Sequence, residues 1–506
     1  MFKKNVDELT KESVIATKSK WLTLVATCLG VLLLNIDLFI INVALPAISN
    51  NLHAPLNIVS WTISTYVLMI GVLPIGFGRL GDIWGQKRLY LGGVILFTIA
   101  SLACGLATNI MWLIIFRTIQ GVGAAAIAPG TLALLVRVFP KEQRGLAIGL
   151  NGGIGGLGLI AGPVLGGLLV HGDNWRWIFF INVPLGIITI LLIVLFVMES
   201  RDEKASKSVD WLGLVLLSGG LFGVLFAFTR ADSNGFDLGS FYCLLIGFLT
   251  LFMLIVVEGR RASPLIDLSL FKNTNFTMPC ISLFLFSIAL FGSQPYWSLF
   301  MQNFWEFTPL QGGLAFLPAT VLIALLQPAV GILCQRNMKK LRYIVMCGVI
   351  IVGLSFLYVT QMDSQSNFVN GLLPALLLRG VGIPILMTST SLLIMNSVPP
   401  DKAGFASGML NMARNIGTAM GVALLGQFFS YDVSQGLLQL GNNIPQAKIA
   451  DALAMAGQFM VFNDEAIKPF ISTVILAGFK GMAMICAVSF IPALLSAILI
   501  KKHKSS

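Results

Sequence analysis

The residue of this sequence best suited to chemistry is Asp37, because it lies in a stretch, residues 21–47, that has no other formal charge. A carboxylate in the middle of a hydrocarbon segment costs about 2.5–3.5 kcal/mol to insert. It is therefore expected to carry a proton, to pair with a buried cation or to face a water-filled cavity. Each of these is a way to handle ions across a membrane. The alternative is a structural acid that hydrogen-bonds a neighbouring helix.

A cation stands at a similar depth in another apolar segment. Arg117 lies about 12 Å from the outer start of its predicted helix near Asn109, and Asp37 about 14 Å from the outer end of its helix near Pro46. Because a guanidinium group stays protonated in proteins, Arg117 is predicted to pair with Asp37 and to take part in proton release. A static ion pair that fixes helix packing is the alternative.

Two further arginines are predicted at mid-membrane depth, whereas Asp37 is the only acid predicted there. By the same counting, Arg379 lies about 14 Å inside the twelfth predicted helix and Arg414 about 15 Å inside the thirteenth. Packing and repeat symmetry would explain both residues. If both face a central cavity, an anionic or amphiphilic substrate is expected.

The composition places these residues in a membrane protein. Of 506 residues, 56% are hydrophobic and 11% are charged, whereas soluble domains carry about 25% charged residues. The net charge of +11 reflects membrane topology and predicts no nucleic-acid partner. The seven cysteines lie in or beside apolar runs and predict neither disulfides nor a metal site. Without a phosphate-binding loop or a catalytic cluster, the chain is predicted to be no enzyme, to need no cofactor and to use the proton gradient.

Apolar runs of spanning length predict an all-α polytopic membrane protein with fourteen transmembrane helices. These runs fall near residues 21–46, 57–77, 89–108, 111–136, 145–170, 178–198, 211–229, 241–257, 275–302, 310–334, 343–361, 371–396, 404–430 and 473–500. Most of the 33 lysines and arginines lie in the connections on the amino-terminal side. Because basic residues collect in cytoplasmic loops, both termini are predicted to be cytoplasmic, in the cytoplasmic (inner) membrane.

Two features divide the chain into predicted domains. A charged link at 199–210 and a pair of helices without internal charge separate the first six helices from the last six. We therefore predict an amino-terminal six-helix bundle at 1–199, a linker with two additional helices at 200–260, and a carboxy-terminal six-helix bundle at 261–506. The last bundle contains the only long outer connection, at 431–472.

The connection after the second helix has the pattern Gly-x-Leu-x-Asp-x-x-Gly followed by basic residues. Glycine permits a tight reversal, and an acid beside cations suits a charge network at helix ends. The residues of this predicted conformational site are Gly78, Arg79, Asp82, Gly85, Lys87 and Arg88. The pattern resembles the signature loop of the major facilitator superfamily. A less complete form of this pattern lies between Gly331 and Arg336, with Gln335 in place of the acid. The repetition predicts two related halves.

The fifth predicted helix carries a second conformational pattern made of small residues and one proline. Small residues let another helix approach closely, and a proline removes one backbone donor and bends the helix. These residues are Gly149, Gly158, Gly162, Pro163, Gly166 and Gly167. The complete pattern resembles the motif of antiporters in the same superfamily, and this resemblance implies export by exchange.

Further stretches at 34–46, 61–66 and 175–184 look like the fourteen-helix drug:proton antiporter group of that superfamily. The resemblance implies a major facilitator fold of two six-helix bundles plus two linker helices. It also implies a monomer, surrounded by membrane lipid, that exchanges protons for small lipophilic substrates by alternating access. Aromatic groups bind such substrates without strict shape demands. The predicted substrate-binding residues are Trp61, Tyr66, Tyr296, Arg379 and Arg414.

Three alternatives stay open. The first is an exporter of an endogenous anionic or lipid-like compound, such as a fatty acid, which could hand it to a periplasmic adaptor through the 431–472 loop. The second is an uptake symporter, against which the glycine pattern of the fifth helix argues. The third is a membrane enzyme, for which the sequence contains no nucleophile, metal or paired-carboxylate constellation.

Overall fold

A computed structural model describes residues 2–170, 174–199, 210–234, 237–259, 268–439 and 468–500. The described residues are 89% helical and contain no β-strand. The all-α class predicted from the sequence is confirmed. The part of the charged link at 200–209 and the central part of the predicted outer loop, 440–467, lie outside the described residues.

The first half begins with a long helix and contains one sharply bent span. Its helices are α1 (Phe2–Asn51), α2 (Leu56–Val59), α3 (Trp61–Val72), α4 (Pro74–Trp84), α5 (Gln86–Gly105), α6 (Ile110–Val138), α7 (Arg144–Leu169), α8 (Trp177–Phe180) and α9 (Asn182–Phe196). The bend between α3 and α4 is 49°. It falls at Pro74, which begins α4 and has no N–H to donate to the preceding turn.

The linker forms a hairpin of two helices, α10 (Trp211–Asn234) and α11 (Leu238–Glu258). One face of α10 is buried, and its Leu225 packs beside Gly71 of α3. Most large apolar side chains of α11 are exposed, as expected for a helix that faces lipid. At the turn, hydrogen bonds from the Arg230 side chain and from Ser240 hold the pKa of Asp237 below its usual range.

The second half also combines long and broken helices. They are α12 (Thr274–Leu290), α13 (Gln294–Phe304), α14 (Pro309–Ala315), α15 (Leu317–Arg336), α16 (Leu341–Val359), α17 (Leu373–Asn396), α18 (Ala403–Gln439) and α19 (Lys468–Ile498). α18 continues beyond its predicted end at residue 430, because Val433 and Leu437 are buried and Val433 packs beside Gly478 of α19. Helix therefore occupies both ends of the predicted outer connection, at residues 431–439 and 468–472.

The protein is a multi-pass membrane protein. Among the described residues, eleven helices are long and apolar enough to cross a membrane, and twelve if the bent pair α3 and α4 is one span. The predicted spans at 145–170 and 404–430 are helical in α7 and α18. The total of fourteen spans stays a prediction.

Glycines join the two halves at one end of the molecule, which we call the basic end because Lys20 and the predicted cytoplasmic connections lie there. A Cβ at Gly78 of α4 would collide with the carbonyl oxygen of Gly404 of α18. A Cβ at Gly145 of α7 would collide in the same way with Gly331 of α15. Small residues allow helix backbones to approach this closely. Two helix pairs, α4 with α18 and α7 with α15, therefore pack tightly and close the basic end.

Candidate functional site

The acid and the guanidinium predicted at similar depth form an ion pair inside the first half. Nη1 of Arg117, on α6, donates a hydrogen bond of 2.6 Å to Oδ2 of Asp37, on α1. Asp37 is only 1% exposed, and Arg117 is fully buried. Removing one partner of such a pair leaves an uncompensated buried charge, at a cost of about 3–5 kcal/mol. The two charges therefore depend on each other.

Two amides complete the surroundings of the acid. Oδ1 of Asp37 accepts hydrogen bonds from Nε2 of Gln120 at 2.9 Å and from Nδ2 of Asn182 at 2.8 Å. Gln120 lies one turn after Arg117 on α6, and Asn182 begins α9, where its amide also reaches Ser101 Oγ at 3.1 Å. Both carboxylate oxygens thus act as acceptors.

The guanidinium group of Arg117 makes hydrogen bonds and aromatic contacts on several sides. Nε of Arg117 donates to the carbonyl oxygen of Thr62 at 3.1 Å, and Nη1 also reaches Gln120 Oε1 at 2.9 Å. Its Cζ lies 4.1 Å from the ring centroid of Tyr66 and 5.7 Å from that of Phe179. Tyr66, predicted as a substrate-binding residue, is therefore a buried neighbour of the ion pair. Such stacking fixes the plane of the guanidinium.

The amide and carbonyl partners of this site were not predicted from the sequence. Asn182 lies inside the stretch 175–184 that carried the resemblance to the superfamily, and Gln120 lies three residues after Arg117. Their polar side chains within apolar runs were the available signal. Thr62 contributes only its backbone oxygen, which no sequence pattern encodes.

The predicted small-residue helix is α7, which contains Gly149, Gly158, Gly162, Pro163, Gly166 and Gly167. Its glycines pack against two different helices. A Cβ at Gly162 would lie 3.1 Å from the carbonyl oxygen of Ile36 on α1, beside the acid. A Cβ at Gly149 would lie 2.5 Å from the carbonyl oxygen of Gln327 on α15, in the second half. α7 therefore connects the helix that carries Asp37 to the interface between the halves.

At the basic end, Asp82 is the centre of a second buried cluster. Its carboxylate accepts hydrogen bonds from Arg137 Nη2 at 2.9 Å and from Gln86 Nε2 at 2.8 Å. It also accepts the backbone N–H groups of Gly404 and Phe405, both at 3.0 Å. These two N–H groups belong to the first turn of α18. An acid of the first half therefore caps a helix of the second half.

The reversal after the second span differs from the prediction. Gly78, Arg79 and Asp82, which were expected in a loop, lie in the helix α4, because the span continues to Trp84. The turn is made by Gly85 alone, whose φ of 111° is a conformation that favours glycine. Gly78 allows close packing of two helices and does not form part of a turn.

The basic residues of this motif are not the ion-pair partners of Asp82. Lys87 donates through Nζ to the carbonyl oxygen of Val194 at 3.1 Å. Arg88 pairs with Glu199 at 3.5 Å. The prediction of a charge network with these cations is corrected: the partner of Asp82 is Arg137.

Two of the aromatic residues predicted to bind substrate lie away from the ion pair. Trp61 is 38% exposed, and its ring centroid is 6.0 Å from that of Phe226 on α10. Tyr296 is buried in the second half, and its hydroxyl donates to the carbonyl oxygen of Val422 at 2.7 Å. Their part in substrate binding stays a prediction.

The two remaining arginines are held in the second half. Nη2 of Arg379 donates to the carbonyl oxygen of Leu290 at 2.9 Å, and its Cζ lies 4.0 Å from the ring centroid of Trp297. Arg414 donates to Asn411 Oδ1 at 2.9 Å within α18. No ion pair with an acid is found for either arginine within the described residues.

Two helical halves that meet at one end, with an acid and a cation buried inside the first of them, form an arrangement typical of membrane transporters. The sequence matches the family model of the Major Facilitator Superfamily over residues 27–422. The chain belongs to this superfamily, whose members are generally transporters without enzymatic activity.

The relatives in sequence include drug-resistance proteins. The chain is 32% identical over 411 residues to the multidrug resistance protein Stp of Mycobacterium tuberculosis, covering 81% of this chain and 76% of the relative. It is 31% identical over 407 residues to the tetracenomycin C resistance and export protein of Streptomyces glaucescens, with coverages of 80% and 75%. It is also 29% identical over 422 residues to the riboflavin transporter RibZ of Clostridioides difficile, with coverages of 82% and 90%.

Solved structures show the same fold at low sequence identity. The human organic anion transporter MFSD10 superposes with a TM-score of 0.62 and 14% identity, covering 95% of this chain and 99% of that one. The proton:xylose symporter XylE gives a TM-score of 0.58 and 11% identity, with coverages of 93% and 95%. The major facilitator fold expected from the sequence is confirmed.

Proposed function

We propose that this protein is a proton-coupled antiporter that exports lipophilic drugs or toxic amphiphiles across the cytoplasmic membrane. The observation that carries the proposal is the fully buried ion pair of Asp37 and Arg117, because an acid inside a membrane is functional by default. The similarity to proteins of multidrug and tetracenomycin C resistance supports the export of drugs. The antiporter-like glycine pattern of α7 supports exchange.

The proton step is assigned to Asp37. With the basic end closed, substrate leaves toward the outside, and a proton from the outside then binds the carboxylate. Protonation removes the charge that attracts Arg117, so the contact of 2.6 Å between Nη1 and Oδ2 loses its main attraction. When new substrate enters from the cytoplasm, Arg117 returns to the acid and the proton leaves on that side.

The conformational step is assigned to α7 and α18. α7 packs on α1 through Gly162 and on α15 through Gly149, so a shift of α1 on protonation is carried to the interface between the halves. Opening of the basic end then separates α18 from Asp82, which caps it in the closed form. The two halves rock about the buried site, as in alternating access.

Transport by reconstituted protein tests the proposal. Proteoliposomes with an imposed pH gradient are loaded with a fluorescent lipophilic cation, and uphill export is followed for the parent, for Asp37→Asn and for Asp363→Asn. Asp363 is an exposed acid in a turn, so its variant controls for the loss of one charge. We expect Asp37→Asn to abolish uphill export and Asp363→Asn to preserve it. Uphill export by Asp37→Asn at the parental rate would refute the assignment.

A second candidate function is the export of an endogenous anionic or lipid-like compound. It is favoured by Arg379, a buried cation that stacks on Trp297 and has no ion pair with an acid in the described part of the chain. A carboxylate or phosphate of the substrate would supply the missing charge. Export of a fluorescent fatty acid should then fall at least tenfold in Arg379→Gln, while export of a lipophilic cation is unchanged. Equal effects on both substrates would exclude this candidate.

A further inference from the structure

A cleft that opens toward the membrane lies between α4, α5 and α6 near the basic end. Its volume is about 400 Å³. Apolar side chains form its walls, among them Phe77 of α4, Leu89 and Leu96 of α5, and Val122 of α6. It is separate from the ion pair of Asp37 and Arg117, and nothing in the proposed transport cycle uses it.

Two adjacent glycines of α5 create this hollow. Gly93 lets α5 approach α6, since a Cβ there would lie 2.9 Å from that of Ala126. Gly92 faces the cleft, and a Cβ at this position would meet no atom within 4 Å. An apolar hollow of this kind loses dispersion contacts if it stays empty. In a membrane, the molecules available to fill it are lipid chains.

One rim of the cleft carries features of the membrane interface. Trp84 is 44% exposed, and its ring centroid lies 6.4 Å from that of Trp211, which begins α10. Tryptophan is enriched at the level of lipid head groups. Leu96 lies about 12 Å further along α5 than Arg88, at 1.5 Å per residue. The apolar part of the cleft therefore extends through most of one leaflet, whose hydrocarbon is about 15 Å deep.

The guanidinium group of Arg88 lies at the same rim. The side chain of Arg88 is 71% exposed, and its described ion pair uses Nε, which lies 3.5 Å from Glu199 Oε2. Its terminal nitrogens make no hydrogen bond within the described residues. Lys87 is already engaged with the carbonyl oxygen of Val194. Arg88 is therefore the cation at this rim that can bind a phosphate through two parallel N–H groups.

We propose that this cleft binds one anionic glycerophospholipid of the cytoplasmic leaflet, with its phosphate at Arg88 and an acyl chain over Gly92. Charge complementarity selects the head group, because basic groups on the cytoplasmic side attract anionic lipids. Arg88 lies in the first turn of α5, three residues after Gly85, the single turn residue between α4 and α5.

Native mass spectrometry of the full chain tests lipid binding. The protein is released from nanodiscs that contain equal amounts of phosphatidylglycerol and phosphatidylcholine. The parent should retain one phosphatidylglycerol in preference to phosphatidylcholine. Arg88→Gln should reduce that preference roughly fivefold, the factor equivalent to about 1 kcal/mol per basic residue. Gly92→Leu should lose the bound lipid altogether, because its side chain fills the cleft.

A matched control is available on the linker hairpin. Gly219 of α10 is also exposed, and a Cβ there would have only Thr250 nearby, at 4.0 Å. Gly219→Leu should retain phosphatidylglycerol like the parent. If Gly92→Leu fails to fold, Leu96→Trp fills the same cleft from another position on α5.

Three results would overturn the proposal. The first is equal retention of phosphatidylglycerol by the parent and by a folded cleft-filling variant. The second is an unchanged lipid preference in Arg88→Gln. The third is labelling of residues 88–96 by a photoreactive drug substrate that phosphatidylglycerol does not displace, because the cleft would then be a path for substrate from the membrane.

Discussion

The carboxylate of Asp82 accepts the backbone N–H of Phe405 at 3.0 Å, so an acid of the first half caps the first turn of α18 in the second half. The N-terminus of a helix carries partial positive charge, which a carboxylate complements. The interaction exists only while the two halves are together at the basic end. The cap by Asp82 therefore adds to the glycine contacts that close this end.

Replacing Asp82 by alanine should open the basic end. Loss of a helix cap costs about 0.5–2 kcal/mol, which would change the ratio of closed to open molecules roughly two- to thirtyfold. Hydrogen exchange at the amides of Gly404 and Phe405 should become faster by a similar factor. Asp363→Ala, in an exposed turn, should leave exchange at these two amides unchanged. Unaltered exchange in Asp82→Ala would show that the cap does not hold the halves together.

The glycine contacts between the halves should tolerate no added methyl group. In Gly78→Ala the new Cβ would collide with the carbonyl oxygen of Gly404, and overpacking of this kind costs about 1–3 kcal/mol. We expect a lower Tm in detergent and a loss of transport. Gly219→Ala is the control, because a Cβ at Gly219 would have only Thr250 nearby, at an ordinary contact distance of 4.0 Å. A parental Tm and transport rate for Gly78→Ala would mean that the basic end is less tightly packed.

Charge balance at the buried pair can be tested by a double-mutant cycle. Arg117→Gln leaves Asp37 buried without its cation and should cost about 3–5 kcal/mol of unfolding free energy. Combining it with Asp37→Asn removes both charges and should recover most of that loss without recovering transport. Additive losses of stability in the double variant would contradict a direct pairing.

The ring of Tyr66 should matter more than its hydroxyl. The ring centroid lies 4.1 Å from Cζ of Arg117, and a desolvated cation–π contact is worth about 2 kcal/mol. Tyr66→Phe keeps the ring and should transport at close to the parental rate. Tyr66→Ala removes it and should lower the transport rate by more than tenfold. Similar rates for the two variants would indicate that stacking does not hold the guanidinium.

Local patterns predicted the elements of the fold better than their contacts. The apolar runs correctly located long helices such as α6 and α16, because hydrocarbon length and backbone hydrogen bonding constrain such segments strongly. The depths counted along two predicted helices placed Asp37 and Arg117 at a similar level, and the structure shows that the two side chains form an ion pair. The extension of α18 to Gln439 was missed because it depends on packing against α19.

Contacts between distant segments were beyond what the sequence could predict. Asp82 and Phe405 are 323 residues apart, and no local pattern links them. Arg137 entered the sequence analysis only as one of the basic residues that define topology, yet it pairs with Asp82. The two amides around Asp37 lay within apolar runs, but the direction of their side chains depends on how α6 and α9 pack against α1.

The central claim is that Asp37 carries the exchanged proton, and proton release on substrate binding measures it most directly. A lipophilic substrate is added to purified protein in weakly buffered detergent solution with a pH indicator, so no membrane gradient takes part. The account predicts release of protons from the parent and from Asp363→Asn, and none from Asp37→Asn that still binds substrate. Undiminished proton release from Asp37→Asn would contradict it.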